Sequence, residues 1–376
     1  MNSYVNPFIT SGYVSPEYFC DRKEETQQLI KEIKNGNNLA LISTRRMGKT
    51  GLIKHCFGNK QIQEQYRTFF VDIYATKSLR DFVFTLSKVL VEGLKPFGIN
   101  VLEKFWNHVK SLRTGISFDP AGNPSFNIGL GDIHEPQSTL DEIFTYLNKS
   151  EKPCLVAIDE FQQIAAYTEE NGEALLRTYI QHCNNAHFIF AGSQHHTIGN
   201  IFLSASRPFY QSVSMMYLKN IPVLEYSNFA MSHFERAGKS IHREVIEQIY
   251  QQFEGITWYL QKMLNVLYEM TPAGTVCNHS FLEYAVENII NSFQYAYSEI
   301  LFRMPEKQKE VLIAIAKEGK VKAITSGSFV KKHHLPSTSS VQAAIKGLLE
   351  KDFITKERDE YLIYDKFFAI WLQKNW

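Results

Sequence analysis

Ser43-Thr44-Arg45-Arg46-Met47-Gly48-Lys49-Thr50 follows the apolar run Leu39-Ala40-Leu41-Ile42 and opens the helical pattern Lys49–Phe57. The octet matches the phosphate-binding loop G-x-x-x-x-G-K-[ST] at every defined position but the first, where Ser43 replaces glycine. The residue types follow from what holding a phosphate requires. Gly48 lets the backbone come close, and backbone N–H groups with the start of the next helix point at the anion. Lys49 reaches the β- and γ-phosphates, and Thr50 offers a hydroxyl to Mg²⁺. Ser43 costs the loop some backbone freedom but still supplies its N–H. A chance helix start with a glycine and a lysine explains neither the strand before the octet nor what lies downstream.

Downstream, Cys154-Leu155-Val156-Ala157-Ile158-Asp159-Glu160 is an apolar strand ending in two carboxylates. Asp159 would hold the Mg²⁺ shell, and Glu160 would orient and activate the attacking water. Carboxylates at the C-terminal end of a strand also sit where open α/β sheets bind ligands. Alone, the pair reads equally well as an acidic cap on a helix over Phe161–Tyr167; with the octet it reads as the second half of a Mg-nucleotide site. A third run, His187–Ala191, ends in Gly192-Ser193-Gln194. Ser193 is a candidate sensor of the γ-phosphate or the lytic water, although by itself the tripeptide is an ordinary strand-to-helix turn.

Further strand-like runs lie at Thr68–Ile73 and Ser214–Leu218, with helical patterns at Leu79–Gly93, Thr139–Leu147 and Gly172–Cys183 between runs. Strands alternating with helices predict a doubly wound α/β fold with a parallel sheet. A polar helix from Arg22 to Lys34, with Asp21 as its N-cap, precedes it. At about 95–132 an inserted helix (Val101–Lys110) and a hairpin interrupt the rhythm, the latter formed by Gly115–Asp119 and Ser125–Gly129 around Pro120–Pro124. Strand signals fade near Ile221. The expected organisation is an α/β domain over 1–220, a helical lid over 221–303 and a C-terminal unit over 304–376. The last reads as three helices followed by a β-hairpin, the winged-helix pattern, and a final helix.

At 376 residues, with 44% hydrophobic and 21% charged residues, the chain has enough apolar material for cored domains. Forty basic against 39 acidic residues leave a net charge of +1, so any nucleic-acid surface must be local. No apolar run is long enough to span a bilayer, and no membrane partner is expected. The first residues lack the basic and apolar regions of a secretory signal. The five cysteines are scattered and form no Cys-x-x-Cys pair, which points to a reducing cytoplasm rather than a disulfide scaffold or thiolate zinc site. His195-His196 with His182 and Cys183 fits no common zinc spacing, and His333-His334 reads as a polar helix end.

The chain resembles the archaeal-type ATPases of the STAND branch of P-loop AAA-like ATPases. The likeness rests on Phe19-Cys20-Asp21-Arg22-Lys23-Glu24-Glu25, Arg45-Arg46-Met47-Gly48-Lys49-Thr50, Ala157-Ile158-Asp159-Glu160-Phe161-Gln162, Ala191-Gly192-Ser193, Arg207-Pro208-Phe209-Tyr210 and Tyr364-Asp365-Lys366-Phe367-Phe368-Ala369-Ile370-Trp371-Leu372. The resemblance implies a sensor strand between the loop strand and the Asp-Glu strand, and an adenine pocket lined near Phe19 and Arg22. Cys20 stands where glycine is usual. Gly255-Ile256-Thr257-Trp258-Tyr259-Leu260 lacks the family's proline, a departure that bears on adenine contact by Thr257.

The expected nucleotide-binding residues are therefore Phe19, Arg22, the loop Arg45 to Thr50, and Gly51. Thr50 and Asp159 are the expected metal ligands. Lys49, Glu160, Ser193 and Arg207 are the expected catalytic groups, Arg207 as an arginine finger in trans or in cis or as a structural residue. Arg45 and Arg46 read as phosphate contacts or as solvated and salt-bridged loop residues. The expected activity is Mg-dependent hydrolysis of ATP to ADP and phosphate, driving a switch of lid and winged helix.

The alternative is a DNA-binding regulator whose nucleotide is structural. Ser337-Thr338-Ser339-Ser340 would cap a recognition helix carrying Gln342 and Lys346, with Lys331, Lys332, Lys356 and Arg358 near phosphates. The acidic neighbours Glu350, Asp352, Glu357, Asp359 and Glu360 dilute that patch, so docking on protein is the competing reading of the same unit.

Overall fold

The computed structural model describes residues 6–118, 124–126, 129–130, 133–167, 169, 171–193 and 195–376. The chain divides into two compact units, one formed by 7–229 with 255–261, the other by Asn6, 230–254 and 262–376.

The first unit contains α1 (Lys23–Lys34), β1 (Leu39–Ile42), α2 (Lys49–Phe57), α3 (Lys60–Gln65), β2 (Arg67–Asp72), α4 (Leu79–Leu94), α5 (Ile99–His108), β3 (Ile116–Phe118) and β4 (Pro124–Phe126). It continues with α6 (Pro136–Lys149), β5 (Cys154–Asp159), α7 (Gly172–His182), β6 (Ala186–Gly192), α8 (His195–Leu203) and β7 (Ser214–Tyr217). Five strands form one parallel sheet in the order β2-β5-β6-β1-β7. The sensor strand β6 thus lies between β1 and β5, as the family resemblance implies.

The uninterrupted apolar runs have a simple cause. Alternate side chains of a strand point to opposite faces, and both faces of this sheet are covered. Leu39, Leu41, Leu155, Ala157, Ile189 and Ala191 pack with α1, α2 and α3. Ala40, Ile42, Val156, Ile158, Phe188 and Phe190 pack with α4 to α8. On that second face Phe161, Phe190, Phe202 and Phe209 form a ring cluster with centroids 4.4–5.8 Å apart. Phe209 of the Arg-Pro-Phe-Tyr stretch is therefore a core residue.

Two expectations change. The N-terminal helix begins at Lys23, and its N-cap position is Arg22 in the left-handed region (φ 63°), with no side-chain cap. Asp21 is also left-handed (φ 50°), so its carboxylate does not cap the helix. The inserted hairpin pairs Ile116 with Phe126 and Phe118 with Pro124, which puts Pro124 in a strand rather than the turn. Residues 119–123 and 127–128 of that expected hairpin lie outside the described residues.

The division between the units falls within α9 (Val223–Arg236) and α11 (Thr257–Met270). The second unit holds the short pair β8 (Ser240–Ile241) and β9 (Val276–Cys277), with α10 (Arg243–Gln252) and α12 (His279–Arg303). A winged helix follows: α13 (Glu306–Glu318), β10 (Lys320–Val321), α14 (Gly327–Lys332), α15 (Thr338–Glu350), β11 (Ile354–Glu357), β12 (Glu360–Ile363) and α16 (Lys366–Asn375). Its sheet has a third strand beyond the expected hairpin, in the order β10-β12-β11.

Ser337 caps α15 by accepting from the N–H of Ser340, and Asp365 caps α16 by accepting from Phe367 and Phe368. Phe367, Phe368 and Trp371 are buried packing residues, the last two against Tyr297. Glu254 bridges Lys320 and Lys366, each at 2.6 Å. Among the described residues no helix is long and apolar enough to cross a membrane.

Candidate functional site

Parallel pairing aligns the C-terminal ends of β1, β6 and β5: Ile42 pairs with Gly192, and Ile158 with Phe190. Ser43, Ser193 and Glu160 therefore leave the sheet along one edge. There the start of α2 meets them, and Lys49, Thr50, Asp159, Glu160 and Ser193 line a cavity of about 440 Å³.

The loop keeps its shape through unusual backbone. Gly48 sits at φ 90°, a backbone conformation that glycine adopts without strain. Arg46 is left-handed as well (φ 68°). Lys49 donates from Nζ to Ser43 Oγ at 3.2 Å and to the Thr44 carbonyl at 3.4 Å. Its side chain is buried, with no carboxylate within ion-pairing distance among the described residues. Burial pushes its pKa below the usual lysine value, and nearby Arg45 adds to the shift against the pull of Asp159 and Glu160.

Asp159 accepts from the Thr50 hydroxyl at 2.6 Å on one oxygen and from the Glu160 N–H at 3.0 Å on the other. Burial raises its pKa, and the Glu160 charge adds to the rise; the Thr50 bond opposes it most. This donor set, a hydroxyl beside a carboxylate at the start of α2, fits Mg²⁺, a cation that binds few protein oxygens and completes its shell with other oxygen ligands and water.

Glu160 is left-handed (φ 56°). Its carboxylate accepts from Ser193 Oγ at 2.9 and 3.2 Å and from the Gln162 side-chain amide. Arg45 Nε reaches Ser193 Oγ at 3.4 Å. Gly192 makes this crossing possible: a Cβ there would lie 2.4 Å from both Gln162 Oε1 and Ile198 Cδ1. Gln162 is buried two places beyond Glu160. In the sequence it stands only within the stretch that carries the family likeness, and its spacing from Glu160 is the one signal of its contact.

The other expected residues divide. Phe19 lines the cavity, stacked on His55 with centroids 4.4 Å apart, and its ring lies 3.4 Å from where a Cβ on Gly51 would stand. Arg22 also lines it, but its guanidinium is committed to Glu25 and the Lys219 carbonyl at 2.6 Å and the Met47 carbonyl at 3.3 Å. It buttresses the loop from behind. Arg46 stacks over Trp258 at 4.5 Å and Tyr259 at 4.9 Å and donates to the Tyr259 hydroxyl. The Trp258 backbone donates its N–H to the Arg46 carbonyl at 3.0 Å, and Thr257 its hydroxyl to the Met47 carbonyl at 3.4 Å.

The structure does not bring Arg207 to the cavity. Its guanidinium pairs with Glu173 at 2.6 Å, in the first turn of α7. Sequence reasoning misses the segment Ile9–Ser15 and Gln261, which also line the cavity and carry no motif, while Trp258, also lining it, stands in the quoted Gly255–Leu260 stretch. Among the described residues no group of three or more His, Cys, Asp or Glu is placed to hold a metal; the side chains of His195 and His196 lie outside the description.

Residues 19–263 match the family described as an ATPase domain predominantly from Archaea, and residues 295–374 match one described as a probable winged helix domain. An uncharacterized ATP-binding protein of Methanocaldococcus jannaschii, MJ1659, is 26% identical over 156 residues, 39% of this chain and 43% of that protein. The match thus spans less than half of that relative's length.

Among solved structures, the Walker-type ATPase PABY2304 of Pyrococcus abyssi is similar with a TM-score of 0.65 at 18% identity, covering 98% of this chain and 99% of that one. The Aeropyrum pernix ORC2 protein in its ADPNP-ADP complexes gives 0.60 at 14% identity, covering 98% and 96%. The Aeropyrum pernix ORC1 protein in complex with DNA gives 0.53 at 12%, covering 96% and 94%. Likeness at such identities speaks to the fold alone. The family match itself runs through the loop, the Asp-Glu strand and the sensor strand. This chain belongs to the family of ATPase domains found predominantly in Archaea and carries a winged-helix domain at its C-terminal end.

Proposed function

We propose that the cavity binds ATP with Mg²⁺ and hydrolyses it slowly to ADP and phosphate. The carrying observation is Lys49: a buried ammonium at a helix start with a hydroxyl and a carbonyl for partners and no counter-ion within reach among the described residues. Such a group is costly unless an anion completes it. Lys49 would grip the β- and γ-phosphates. Thr50 and Asp159 would hold the Mg²⁺, which supplies charge neutralisation for phosphoryl transfer. Glu160 would orient the attacking water and take its proton, once Ser193 turns from the carboxylate towards the γ-phosphate. Phe19 and Gly51 would pack beside the base. Arg207 is tied to Glu173, a pairing that favours its structural role.

Arg46 is the proposed link between the loop and the rest of the switch. Trp258 and Tyr259 read its position, and the chain between them and Glu254 carries the change towards the winged helix. In this reading 1–220 is the ATPase core, 221–303 the lid and 304–376 the output domain. Five buried, unpaired cysteines suit a cytoplasmic setting. In the experiment that tests the site, wild type binds a fluorescent ATP analogue, Lys49→Ala does not, and Glu160→Gln binds but does not turn over. Equal binding by wild type and Lys49→Ala sinks the proposal.

A second reading, DNA binding through the winged helix, is favoured by one groove. Lys322, Lys346 and Lys356, against the single carboxylate of Asp359, line it with Gln342 and Tyr361 between α15 and the β-strands. A mobility shift that weakens with salt supports that reading; no shift at low salt counts against it.

A further inference from the structure

Helix α12 runs for 25 residues, and its core side is ordinary: Leu282, Ala285, Val286, Ile289, Ile290 and Tyr297 are buried. The opposite side is not. Tyr284, Tyr295 and Phe302 are 65%, 80% and 85% exposed. With Asn288, Asn291 and Ser298, also exposed, they recur at alternating spacings of four and three. That is the seam of a coiled coil, the heptad positions that face a partner helix. Among the described residues none of the six makes a side-chain hydrogen bond, ion pair or ring contact within its own chain.

The order of residues along the seam says what the partner is. Turned end for end about Phe293, the seam lays Tyr284 against Phe302, Asn288 against Ser298, and Asn291 against Tyr295. Aromatic meets aromatic at both ends, and in the middle each amide meets a hydroxyl it can bond. A patch that complements itself after a two-fold turn is an isologous interface. The flanks agree. Glu287 and Glu299 lie on opposite sides of the seam, and antiparallel helices pair like flanks with like, so the two carboxylates do not meet. Each already has a cation in its own chain, Lys374 and Arg303. The area is also adequate. At about 150–250 Å² per aromatic side chain, the three rings offer roughly 450 Å² per copy at these exposures. Their polar neighbours bring a pair of copies past the roughly 1,000 Å² that a specific contact needs.

We infer that α12 is a homodimerisation helix, pairing antiparallel with α12 of a second copy of this chain. The inference is independent of the nucleotide site. Sedimentation equilibrium of the full chain over about a hundredfold range of concentration should show a monomer–dimer equilibrium. Tyr295→Glu with Phe302→Glu should weaken dimerisation by at least about tenfold while leaving the circular dichroism melt of the monomer unchanged, because both positions face solvent. The register has its own readout. A chain carrying Tyr284→Cys and Phe302→Cys should crosslink between copies on mild oxidation. Tyr284→Cys alone should not, since antiparallel pairing separates its two copies by roughly 27 Å along the helix. A monomer at every concentration, a dimer indifferent to the glutamates, or crosslinking by Tyr284→Cys alone would each overturn the inference.

Discussion

Replacing Lys49 with methionine should separate two properties that usually fall together, stability and binding. Lys49 is 6% exposed, and its ammonium reaches Ser43 Oγ and Thr44 O at 3.2 and 3.4 Å, both long. Hydrogen bonds from a charged group return about 1.5–3 kcal/mol each, and long ones sit at the low end. Desolvating the ion costs several kcal/mol even after relaxation. Without nucleotide the residue is therefore neutral or a net burden, and Lys49→Met, which keeps the stem's volume, should melt at or up to about 4 °C above wild type. The same change deletes about two charge-assisted contacts to phosphate, roughly 3–5 kcal/mol, or a hundredfold to several thousandfold in affinity.

At ligand one hundred times its dissociation constant, wild type should gain about 2.7 kcal/mol of stability and the variant almost none. Differential scanning calorimetry with and without a non-hydrolysable ATP analogue reads both quantities. A variant melting several degrees below wild type would show that Lys49 is structural. One shifted by nucleotide as strongly as wild type would show that the phosphates lie elsewhere. The pH dependence carries the same sign. Because the folded pKa of Lys49 is lowered, the unfolded chain holds more protons between the two pKa values, so this residue's contribution to stability rises with pH across that interval.

Asp159 behaves oppositely: its folded pKa is raised, so between the ordinary carboxyl value and the folded one the native state holds the proton and stability falls as pH rises. Asp159→Asn should remove that slope from apoprotein melts and abolish Mg-dependent nucleotide binding; an unchanged slope refutes the assignment. Glu160→Gln should lower the steady-state ATPase rate by about a hundredfold or more while retaining binding, and turnover near wild type would remove Glu160 as the base. Gly192→Ala should destabilise by about 1–3 kcal/mol in denaturant titrations, because its Cβ would stand 2.4 Å from Gln162 Oε1 and Ile198 Cδ1; no loss of stability would mean the crossing is loose. Arg46→Ala removes stacking on Trp258 and Tyr259 and should cost about 1–2 kcal/mol; a melt identical to wild type refutes that contact.

Much of the site is legible in the amino-acid sequence. Leu39–Ile42, Cys154–Ile158 and His187–Ala191 are apolar at nearly every position because both sheet faces are covered, so the runs announce themselves as strands and their last residues mark the working edge. Lys49–Phe57 has the bounds expected of it, since a glycine in a left-handed conformation must stand just ahead of the helix. The failures have physical causes too. β10 is two residues long, and nothing in Lys320-Val321 distinguishes a strand from the end of a helix. Asp21 has the side chain of a cap but a backbone turned left-handed, beside an Arg22 that is likewise left-handed and bonded to Glu25, Lys219 and Met47.

Short-range chemistry thus determined the elements and their ends: where strands stop, where the helix after Gly48 starts, and which side chains stand at those ends. The tertiary structure alone decided who meets whom. It turned Ser193 onto Glu160 across the ends of neighbouring strands; it tied Arg207 to Glu173 and away from the cavity; and it laid Trp258 and Tyr259 on Arg46. Propensity and periodicity act over a few neighbouring residues. Pairings across such long stretches of chain are settled only when the whole core closes and every buried group must find its partner at once.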